Sequence, residues 1–300
     1  MINTKRIFSQ TRVTMATLGV SLDEFKRLLP VFSQCLVDYR LKLTPNRKRK
    51  IGGGQKGDLP TDTDKLVYIL LYLKLYPTYD AMSVLTDHCR SKCGDSVHFF
   101  LPVLEMTLGR KLVLPKRHGH SLEEIFRQHP EIKDIFMDGT ERRVQKPKNL
   151  KKRNKLYSGK KKATTRKTVI LSDERKYIHY MSKTKSGRRH DKRIADKEDM
   201  ITGLPPDIAL WTDTGFQGAK KQHDKTIMPT KATRNNRLMY SQKENNRAIS
   251  SFRVVSEHAI GGFKRFKAAA DIYRNKLQNF DDLLTEVSIG LWNFHLQQTA

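Results

Sequence analysis

The stretch Asp207–Gly218, DIALWTDTGFQG, carries an apolar run into Asp213 and then turns on glycine. The stretch Ile132–Thr140, IKDIFMDGT, does the same at Asp138. Short apolar runs bounded by glycine predict buried β-strands, and a side chain at the end of such a strand lies at the rim of a sheet, where α/β folds place their sites. One aspartate there is usually a turn former, because its side chain hydrogen-bonds the local backbone. Two of them favour a functional site.

The 300-residue chain is strongly basic: 58 lysines and arginines against 31 acidic residues give a formal charge of +27. Such an excess predicts a polyanionic partner, with nucleic acid as the first candidate and a membrane surface as the second. No long apolar segment supports the membrane, so we expect no membrane partner. Residues 1–20 hold no continuous apolar core of signal-peptide length, which predicts a cytoplasmic protein.

The cysteines, Cys35, Cys89 and Cys93, are an odd number, which favours free thiols in a reducing compartment over a disulfide framework. The segment HCRSKC, with His98 after it, raises zinc binding as an alternative. Its spacing matches no common four-ligand pattern, so we expect free thiols near a helix end.

The composition divides the chain into three predicted blocks. Residues 1–57 form an N-terminal helical arm, with a helix that Ser21 and Glu24 cap, followed by a basic, glycine-rich linker. Residues 58–115 hold three helices in the long–short–long order of a helix-turn-helix DNA-binding domain, and an ordinary helical bundle fits the same pattern. Residues 130–300 alternate strands and helices, which predicts an α/β fold, α+β overall, around a mixed sheet.

The predicted elements follow from apolar spacing and from residues that begin or end helices. In the middle block the helices span 61–77 and 78–88 and a third begins at Asp95 or Ser96. In the last block we predict strands at 132–138, 207–213 and 226–230, a hairpin at 168–181, and helices at 190–206, 241–266 and 279–298.

The segment from Arg142 to Lys167 contains thirteen basic residues and no acidic one. We expect this run to lie along DNA, where each neutralised phosphate adds about 0.9 to the slope with which affinity falls with salt. The alternative is a charged loop without structure, which agrees with the same function because such loops often order only on nucleic acid.

The predicted long helix carries a third acidic candidate. At about 100° per residue, Arg253, Glu257 and Lys264 fall within roughly 40° of one another, opposite the apolar Val255 and Ala259. Glu257 is therefore not expected beneath the helix. A solvated face with salt-bridge pairs is the ordinary meaning of such a pattern and stays open as the alternative.

The order Asp138, Asp213, Glu257, on strand, strand and helix, resembles the DDE triad of ribonuclease-H-like transposases. The segments MDGTE, YSGKKKATTRKT, SKTKSGRRHDKRIAD, TDTGFQG and ISSFRVVSEHAIGGFKRFK are similar to DDE-superfamily endonucleases of bacterial insertion sequences, which are related to the Harbinger group. The chain departs from the family where Ser250 replaces the tyrosine of a Tyr-Arg-Glu-Lys signature. It departs again at HCRSKCGDSVHFF, where the family's recognition helix begins with Ser, Thr and Arg.

The resemblance implies a ribonuclease-H-like catalytic domain after a helix-turn-helix domain, in a transposase that acts on double-stranded DNA, both element ends and target, as a homo-oligomer in the bacterial cytoplasm. It implies Asp138, Asp213 and Glu257 as catalytic and metal-binding residues for two divalent ions, Mg²⁺ with Mn²⁺ as a substitute. For His190 and Asp191 we expect helix capping, with an accessory role near the metals as the alternative. The expected DNA-binding residues are Lys151, Lys152, Arg153, Lys160, Lys161, Lys162, Arg166, Arg253, Lys264 and Arg265.

These residue types suit phosphodiester chemistry. Hydrolysis and strand transfer need the attacking and leaving oxygens stabilised together, which two ions about 3.5–4 Å apart achieve when carboxylates hold them. Mg²⁺ prefers oxygen ligands and keeps several waters, so three carboxylates suffice. We expect Asp138 to bridge both ions, Asp213 to hold one and Glu257 the other. Hydrolysis would free a 3′-hydroxyl at the element's end, and that hydroxyl would attack target DNA.

Three other functions compete with this one. The segment WTDTG resembles half of an aspartic protease, but a protease needs a second Asp-Thr-Gly, and MDGT has the wrong order. A transposase-derived DNA-binding protein without catalysis is the stronger rival, although all three carboxylates are present. A nuclease without transposition shares the same site.

Overall fold

A computed structural model describes residues 2–46, 57–117, 122–233 and 237–299. The chain forms two compact units. The helical unit comprises Met1–Leu114, Phe263–Asp271 and Phe280–Ala300, and the sheet unit comprises Pro115–Gly262 and Ile272–Asn279. Most of the predicted glycine-rich linker, residues 47–56, lies outside the described residues.

The helical unit begins with three helices, the longest of which starts as predicted. Ser21 accepts a hydrogen bond from the backbone of Glu24, and the Glu24 carboxylate accepts one from the backbone of Ser21, so two backbone donors at the helix end are satisfied. Glu24 also accepts from His295 at 2.6 Å. The three helices are α1 (Thr4–Phe8), α2 (Thr11–Leu18) and α3 (Leu22–Leu43).

The middle block forms three helices in the predicted order. Residues Leu66–Leu73 are all buried, which agrees with their apolar circumference. The third helix begins five residues before Asp95, so the predicted cap was wrong. Its start follows burial, because Cys93 is already fully buried and precedes both candidate caps. The helices are α4 (Asp62–Leu75), α5 (Tyr79–Thr86) and α6 (Arg90–Arg110).

The last helix of the chain also belongs to the helical unit. Leu284, Val287 and Leu291 are fully buried in it, and Asn293 Nδ2 donates to the carbonyl of Val113 at 2.9 Å. The helix lies inside the catalytic domain predicted for residues 130–300, and its buried residues pack within the helical unit; that domain boundary stays a prediction. No helix in the described ranges has the length and apolar character that spanning a bilayer requires. The C-terminal helices are α11 (Lys267–Ala270) and α12 (Phe280–Thr299).

The sheet unit contains a seven-stranded mixed sheet with the order β2-β3-β1-β6-β7, and β4 and β5 also pair with β3. β1 runs antiparallel to β3 and parallel to β6. This mixed α/β architecture confirms the predicted fold class. The strands are β1 (Asp134–Arg143), β2 (Tyr157–Ser158), β3 (Ala163–Ser172), β4 (Ile178–Met181), β5 (Lys185–Ser186), β6 (Ala209–Thr212) and β7 (Thr226–Ile227).

Four helices accompany the sheet. Side chains alternate between the faces of a strand. On one face, Ile135 and Met137 of β1 belong to a core that also holds Ile194 and Ala195. On the other face, the ring of Phe136 stacks on Trp211, and Trp211 stacks on a phenylalanine of the long helix. The helices are α7 (Leu122–Gln128), α8 (Leu150–Leu156), α9 (Asp191–Lys197) and α10 (Tyr240–Lys264), the last of which ends in the helical unit.

Two predictions about the sheet unit need correction. β1 does not end at Asp138 but continues to Arg143, because residues beyond the aspartate pair with β3, as Gly139 does with Val169. The basic run from Arg142 to Lys167 is not a structureless loop, since it forms α8, β2 and the start of β3.

Candidate active site

Asp138 and Asp213 lie side by side on neighbouring strands. β1 and β6 are parallel and in register, with Phe136 opposite Trp211 and Met137 opposite Thr212. The next positions along both strands are the two aspartates, and strand alternation puts them on the sheet face that Phe136 and Trp211 share. Adjacent strands lie about 4.8 Å apart, so the two carboxylates come within reach of one ligand.

Asp138 is held in a partly buried, charged environment. Its Oδ1 accepts a hydrogen bond from the backbone of Gly139 at 2.8 Å, and its Oδ2 accepts one from Ser256 Oγ at 3.4 Å. Burial raises the pKa of Asp138 to about 6; the positive charge of Arg253 opposes this rise, and the negative charge of Asp213 adds to it. Two carboxylates that repel each other at a half-buried site favour a bound cation.

α10 brings Arg253 and Ser256 to Asp138, while Glu257 lies on its exposed side. The stack of Phe252 on Trp211 fixes this part of the helix against the sheet. The exposure of Glu257 agrees with the helical spacing. Glu257 directly follows Ser256, which contacts Asp138, but its own side chain points outward and does not join Asp138 and Asp213.

The structure instead brings Asp191, the first residue of α9, close to the aspartate pair. A β-carbon built on Gly139 would lie 2.9–3.2 Å from the carboxylate atoms of Asp191, and one built on Gly215 would lie 3.5 Å from Asp191 Oδ2. The glycines that follow Asp138 and Asp213 therefore leave the space that this carboxylate fills. In the parts of the chain that the structure describes, no group of three His, Cys, Asp or Glu side chains is arranged to hold a metal ion.

A buried lysine neutralises Asp191. Lys167 Nζ lies 3.1 Å from Asp191 Oδ1 and 3.4 Å from Glu141 Oε1. The contact with Asp191 is an ion pair only, because Oδ1 has no hydrogen-bond partner among the described residues. Glu141 also accepts hydrogen bonds from Ser158 Oγ at 3.1 Å and Thr165 Oγ1 at 2.7 Å. We call Glu141, Lys167 and Asp191 the ion triad.

His190 and Asp191 lie at the start of α9 as expected, but neither side chain caps the helix by a hydrogen bond. His190 is the N-cap residue of α9, but its side chain makes no capping hydrogen bond. Asp191 turns toward Lys167 instead of back to the helix backbone, because the buried ammonium group is the stronger partner.

A cleft of about 960 Å³ opens beside Asp213. Several cations line it, including Lys160, whose positive charge opposes the rise in the pKa of Asp138. The lining residues are Asn154, Tyr157, Ser158, Gly159, Lys160, Lys167, Gly187, Arg188, Arg189, His190, Asp191, Asp213, Thr214, Gly215, Gln217 and Lys231.

The residues predicted to bind DNA occupy several different environments. Lys151 and Lys152 are exposed on α8, and the Lys160–Lys162 turn is exposed at the cleft side of β2. Arg153 is half-buried on α8. The guanidinium of Arg166 lies 5.6 Å from the ring centre of Tyr273.

The two basic residues after Gly261 differ from the others. Lys264 is half-buried at the end of α10. The guanidinium of Arg265 packs in the helical unit, 5.4 Å from the ring centres of Phe266 and Trp292, and burial lowers its pKa. Because its Nε and Nη2 atoms are enclosed, a DNA contact from Arg265 is not supported.

Sequence reasoning missed Lys167 as a site residue. The signal was present: Lys167 alternates with Val169 and Leu171, both of which belong to the core of the sheet unit. A lysine in register with core residues requires a buried acidic partner. It was overlooked because it ends a run of exposed cations.

A mixed sheet with two aspartates on neighbouring parallel strands, beside a cation-lined cleft, defines the class of ribonuclease-H-like DDE catalytic domains. The family of DDE superfamily endonucleases matches residues 137–293, more than half of the chain, and the chain belongs to this family. It is also similar to the probable transposase for insertion sequence element IS702 of Microchaete diplosiphon, with 27% identity over 284 residues that cover 94% of each chain. No solved structure matches.

Proposed function

We propose that the protein is a transposase that uses divalent metal ions to cleave DNA at the ends of an insertion sequence and to join them to target DNA. The observation that carries this proposal is the pair Asp138, within β1, and Asp213, directly after the parallel strand β6, beside a cation-lined cleft. Membership of the endonuclease family and similarity to a probable transposase support the same reaction.

The residues present fit a divalent metal. Mg²⁺ is commonly held by one or two carboxylates plus water and substrate phosphate, and the adjacent Asp138 and Asp213 supply such a pair of oxygen ligands. Glu257 would supply the third carboxylate when its exposed side chain turns toward Asp138. A divalent ion bound there stabilises charge on the attacking and leaving oxygens of the phosphodiester.

The chain's own residues prepare this site. Asp138 binds cations when it is ionised, and Arg253 and Lys160 favour the ionised form. Ser256 and the backbone of Gly139 orient its two oxygens by hydrogen bonds. The cations of the cleft would hold phosphates on either side of the scissile bond.

The substrate of this proposal is double-stranded DNA, both the element ends and the target. The helices α4, α5 and α6 would bind the ends as a helix-turn-helix domain, and two or more copies would act together on DNA in the bacterial cytoplasm. The exposed lysines of α8 and of the Lys160–Lys162 turn would contact phosphates without reading sequence.

A supercoiled plasmid that carries the ends of the element tests the proposal, with nicked and joined products scored separately. We expect cleavage and joining in Mg²⁺, loss of both in chelator, and loss of both in Asp138→Asn, Asp213→Asn and Glu257→Gln with DNA binding retained. Asp224→Asn is the matched control, because Asp224 is an exposed aspartate elsewhere on the sheet unit. Cleavage by Asp138→Asn at the wild-type rate would overturn the proposal.

The outward position of Glu257 favours one alternative, a transposase-derived DNA-binding protein without catalysis. In that case the wild-type protein would bind the element ends and leave them intact in Mg²⁺ and in Mn²⁺. Products that are nicked but never joined would instead identify a nuclease.

A further inference from the structure

A second cleft, the side cleft, adjoins the active-site cleft on the sheet unit. Its volume is about 540 Å³. Asn154 and Tyr157 line both clefts, so these two residues form the wall between them. The lining residues are Lys146, Arg153, Asn154, Tyr157, Lys162, Ala163 and Thr164.

The wall is one face of α8 and its C-terminal cap. Arg153, Asn154 and Tyr157 lie three, four and seven residues after Leu150, the spacing that puts side chains on the same side of a helix. None of the seven residues of α8 is buried. Isolated short helices are marginal in water, and packing supplies most helix stability, so a helix whose residues are at most half-buried leaves much of its surface for an outside ligand.

The chemistry of the side cleft suits a nucleotide. Lys146, Arg153 and Lys162 bring three positive charges, and the described lining includes no acidic side chain. The ring of Tyr157 stays open between them, with 46% of the residue exposed. Aromatic rings beside a positively charged groove are the usual platform for unpaired bases, since every base has a face that stacks.

The volume of the side cleft suits a single unpaired nucleotide better than duplex DNA. Sites of 300–1,000 Å³ enclose single small ligands. Inside a duplex each base is stacked on both sides, so only an unpaired base or a terminal pair can offer a face to Tyr157, and a terminal pair is far bulkier than a single base. A single-stranded end that leaves the active-site cleft past Asn154 would reach Tyr157 directly, because the clefts share that wall.

We propose that the side cleft binds an unpaired nucleotide of the DNA strand next to the active site, with its base stacked on Tyr157 and its phosphates held by Lys146, Arg153 and Lys162. The inference deepens the proposed function and rests on it for the identity of the strand. It assigns Tyr157 to binding and not to cleavage.

Fluorescence anisotropy in chelator tests this site without requiring cleavage. The probes are a blunt duplex and the same duplex with a short single-stranded overhang of either polarity. We expect the wild-type protein to prefer the overhang, and Tyr157→Ala to reduce that preference about tenfold, within the range for loss of one base–aromatic stack. Tyr157→Phe keeps the stacking face and should keep the preference.

Two controls isolate the stack. Tyr240→Ala removes a tyrosine that is 74% exposed on α10, and it should leave the preference unchanged. Lys146→Gln should also weaken binding of the overhang probe, but through a phosphate contact, so its effect should shrink as salt rises whereas the effect of Tyr157→Ala should persist. Thermal unfolding of each variant confirms that the exposed substitutions leave the fold intact.

The outcomes distinguish this inference from the proposed function. Equal binding of both probes by a wild-type protein that cleaves in Mg²⁺ overturns the side cleft and leaves the transposase proposal standing. An unchanged preference in Tyr157→Ala also overturns it. A Tyr157-dependent preference in a protein that never cleaves supports the side cleft and counts against catalysis.

Discussion

Helix α9 is anchored to the sheet at both ends by lysines that stand opposite each other in the pairing of β3 with β5, Lys167 and Lys185. Lys167 forms an ion pair with Asp191 at the start of the helix, and Lys185 forms one with Glu198 at its end, each at 3.1 Å. Glu198 also accepts hydrogen bonds from the backbone of Lys183 and from the Tyr180 hydroxyl. Asp191 Oδ1 has the ion pair alone among the described residues.

The difference separates a structural anchor from a site. Most buried polar atoms in proteins find hydrogen-bond partners, and those that lack one tend to lie where the protein binds or reacts. The start of α9, where Asp191 is, lies beside Gly139 and Gly215, which follow the two aspartates. At the other end, Glu198 contacts Lys183, Lys185 and Tyr180. Glu198 therefore serves stability, and Asp191 is suited to position the backbone that follows Asp138 in β1 and Asp213 after β6.

The largest expected effect comes from replacing Lys167, which pairs with Asp191 at the start of α9. Lys167→Met would take away the ammonium group that faces the half-buried carboxylate of Asp191, and we expect the free energy of unfolding to fall by about 3–5 kcal/mol. Lys185→Met should cost about 1–2 kcal/mol, because Glu198 retains its hydrogen bonds. Urea unfolding measures both.

A second variant separates lost charge balance from lost packing. Adding Asp191→Asn to Lys167→Met removes the charge that the lysine faced and should restore part of the stability. If Lys167→Met were no more destabilising than Lys185→Met, the two ends of α9 would be equivalent and the comparison would fail.

The next largest effect is a dependence of the free energy of unfolding on pH. It comes from Asp138, whose neighbour Gly139 lies beside Asp191 at the start of α9. The pKa of Asp138 is about 6 in the folded chain against an ordinary 3.8, so the folded state holds a proton that the unfolded state releases between these values. The free energy of unfolding should therefore decrease as pH rises from 3.8 to 6, by up to about 3 kcal/mol at about 1.4 kcal/mol per pKa unit. Urea unfolding in chelator across this range measures it.

The pH effect is read as a difference between variants, since other groups titrate in the same range. Asp138→Asn should remove this part of the slope, and Glu198→Gln at the other end of α9 should retain it. A difference between the wild type and Asp138→Asn that stays constant from pH 3.8 to 6 would contradict the raised pKa.

How far the sequence predicted this molecule depended on whether the deciding interactions are local. The cap formed by Ser21 and Glu24 was correct because three residues of chain decide it. Asp138 and Asp213 were located because an apolar run leads into each, and a parallel pair of strands then brings such positions together.

The ion triad was not predicted because its members come from β1, β3 and α9, and nothing in a local pattern joins them. For the same reason the sequence did not predict that α12 packs within the helical unit, since its partners lie far away in sequence, as Val113 does from Asn293. Glu257 remains a predicted site residue. Helical spacing correctly gives its exposed side but not the rotamer it adopts on DNA.

A smaller effect is expected from Asp191→Asn, now measured as activity. The neutral amide keeps the shape but gives up the ion pair that holds this side chain beside Gly139 and Gly215, and loss of such a supporting contact at a metal site typically costs 10–100-fold. We expect single-turnover cleavage in Mg²⁺ to slow by that factor, with DNA affinity unchanged. Asp196→Asn is the control, because Asp196 is on the same helix and pairs with Lys192 at the surface. Equal rates for both variants would contradict the positioning role.

The smallest effect should come from Glu198→Gln. This variant tests whether the Glu198 end of α9 only stabilises the fold and has no part in cleavage. Glutamine keeps an acceptor for the backbone of Lys183 and for Tyr180 but loses the charge that faces Lys185, so we expect a loss of about 1 kcal/mol in the free energy of unfolding. Cleavage should stay within about twofold of the wild type, because Glu198 contacts Lys183, Lys185 and Tyr180, which are not neighbours of Asp138 or Asp213 along the chain. A tenfold loss of cleavage with unchanged stability would show that α9 acts on the site as one rigid element. The unequal hydrogen bonding of its two carboxylates would then have no functional meaning.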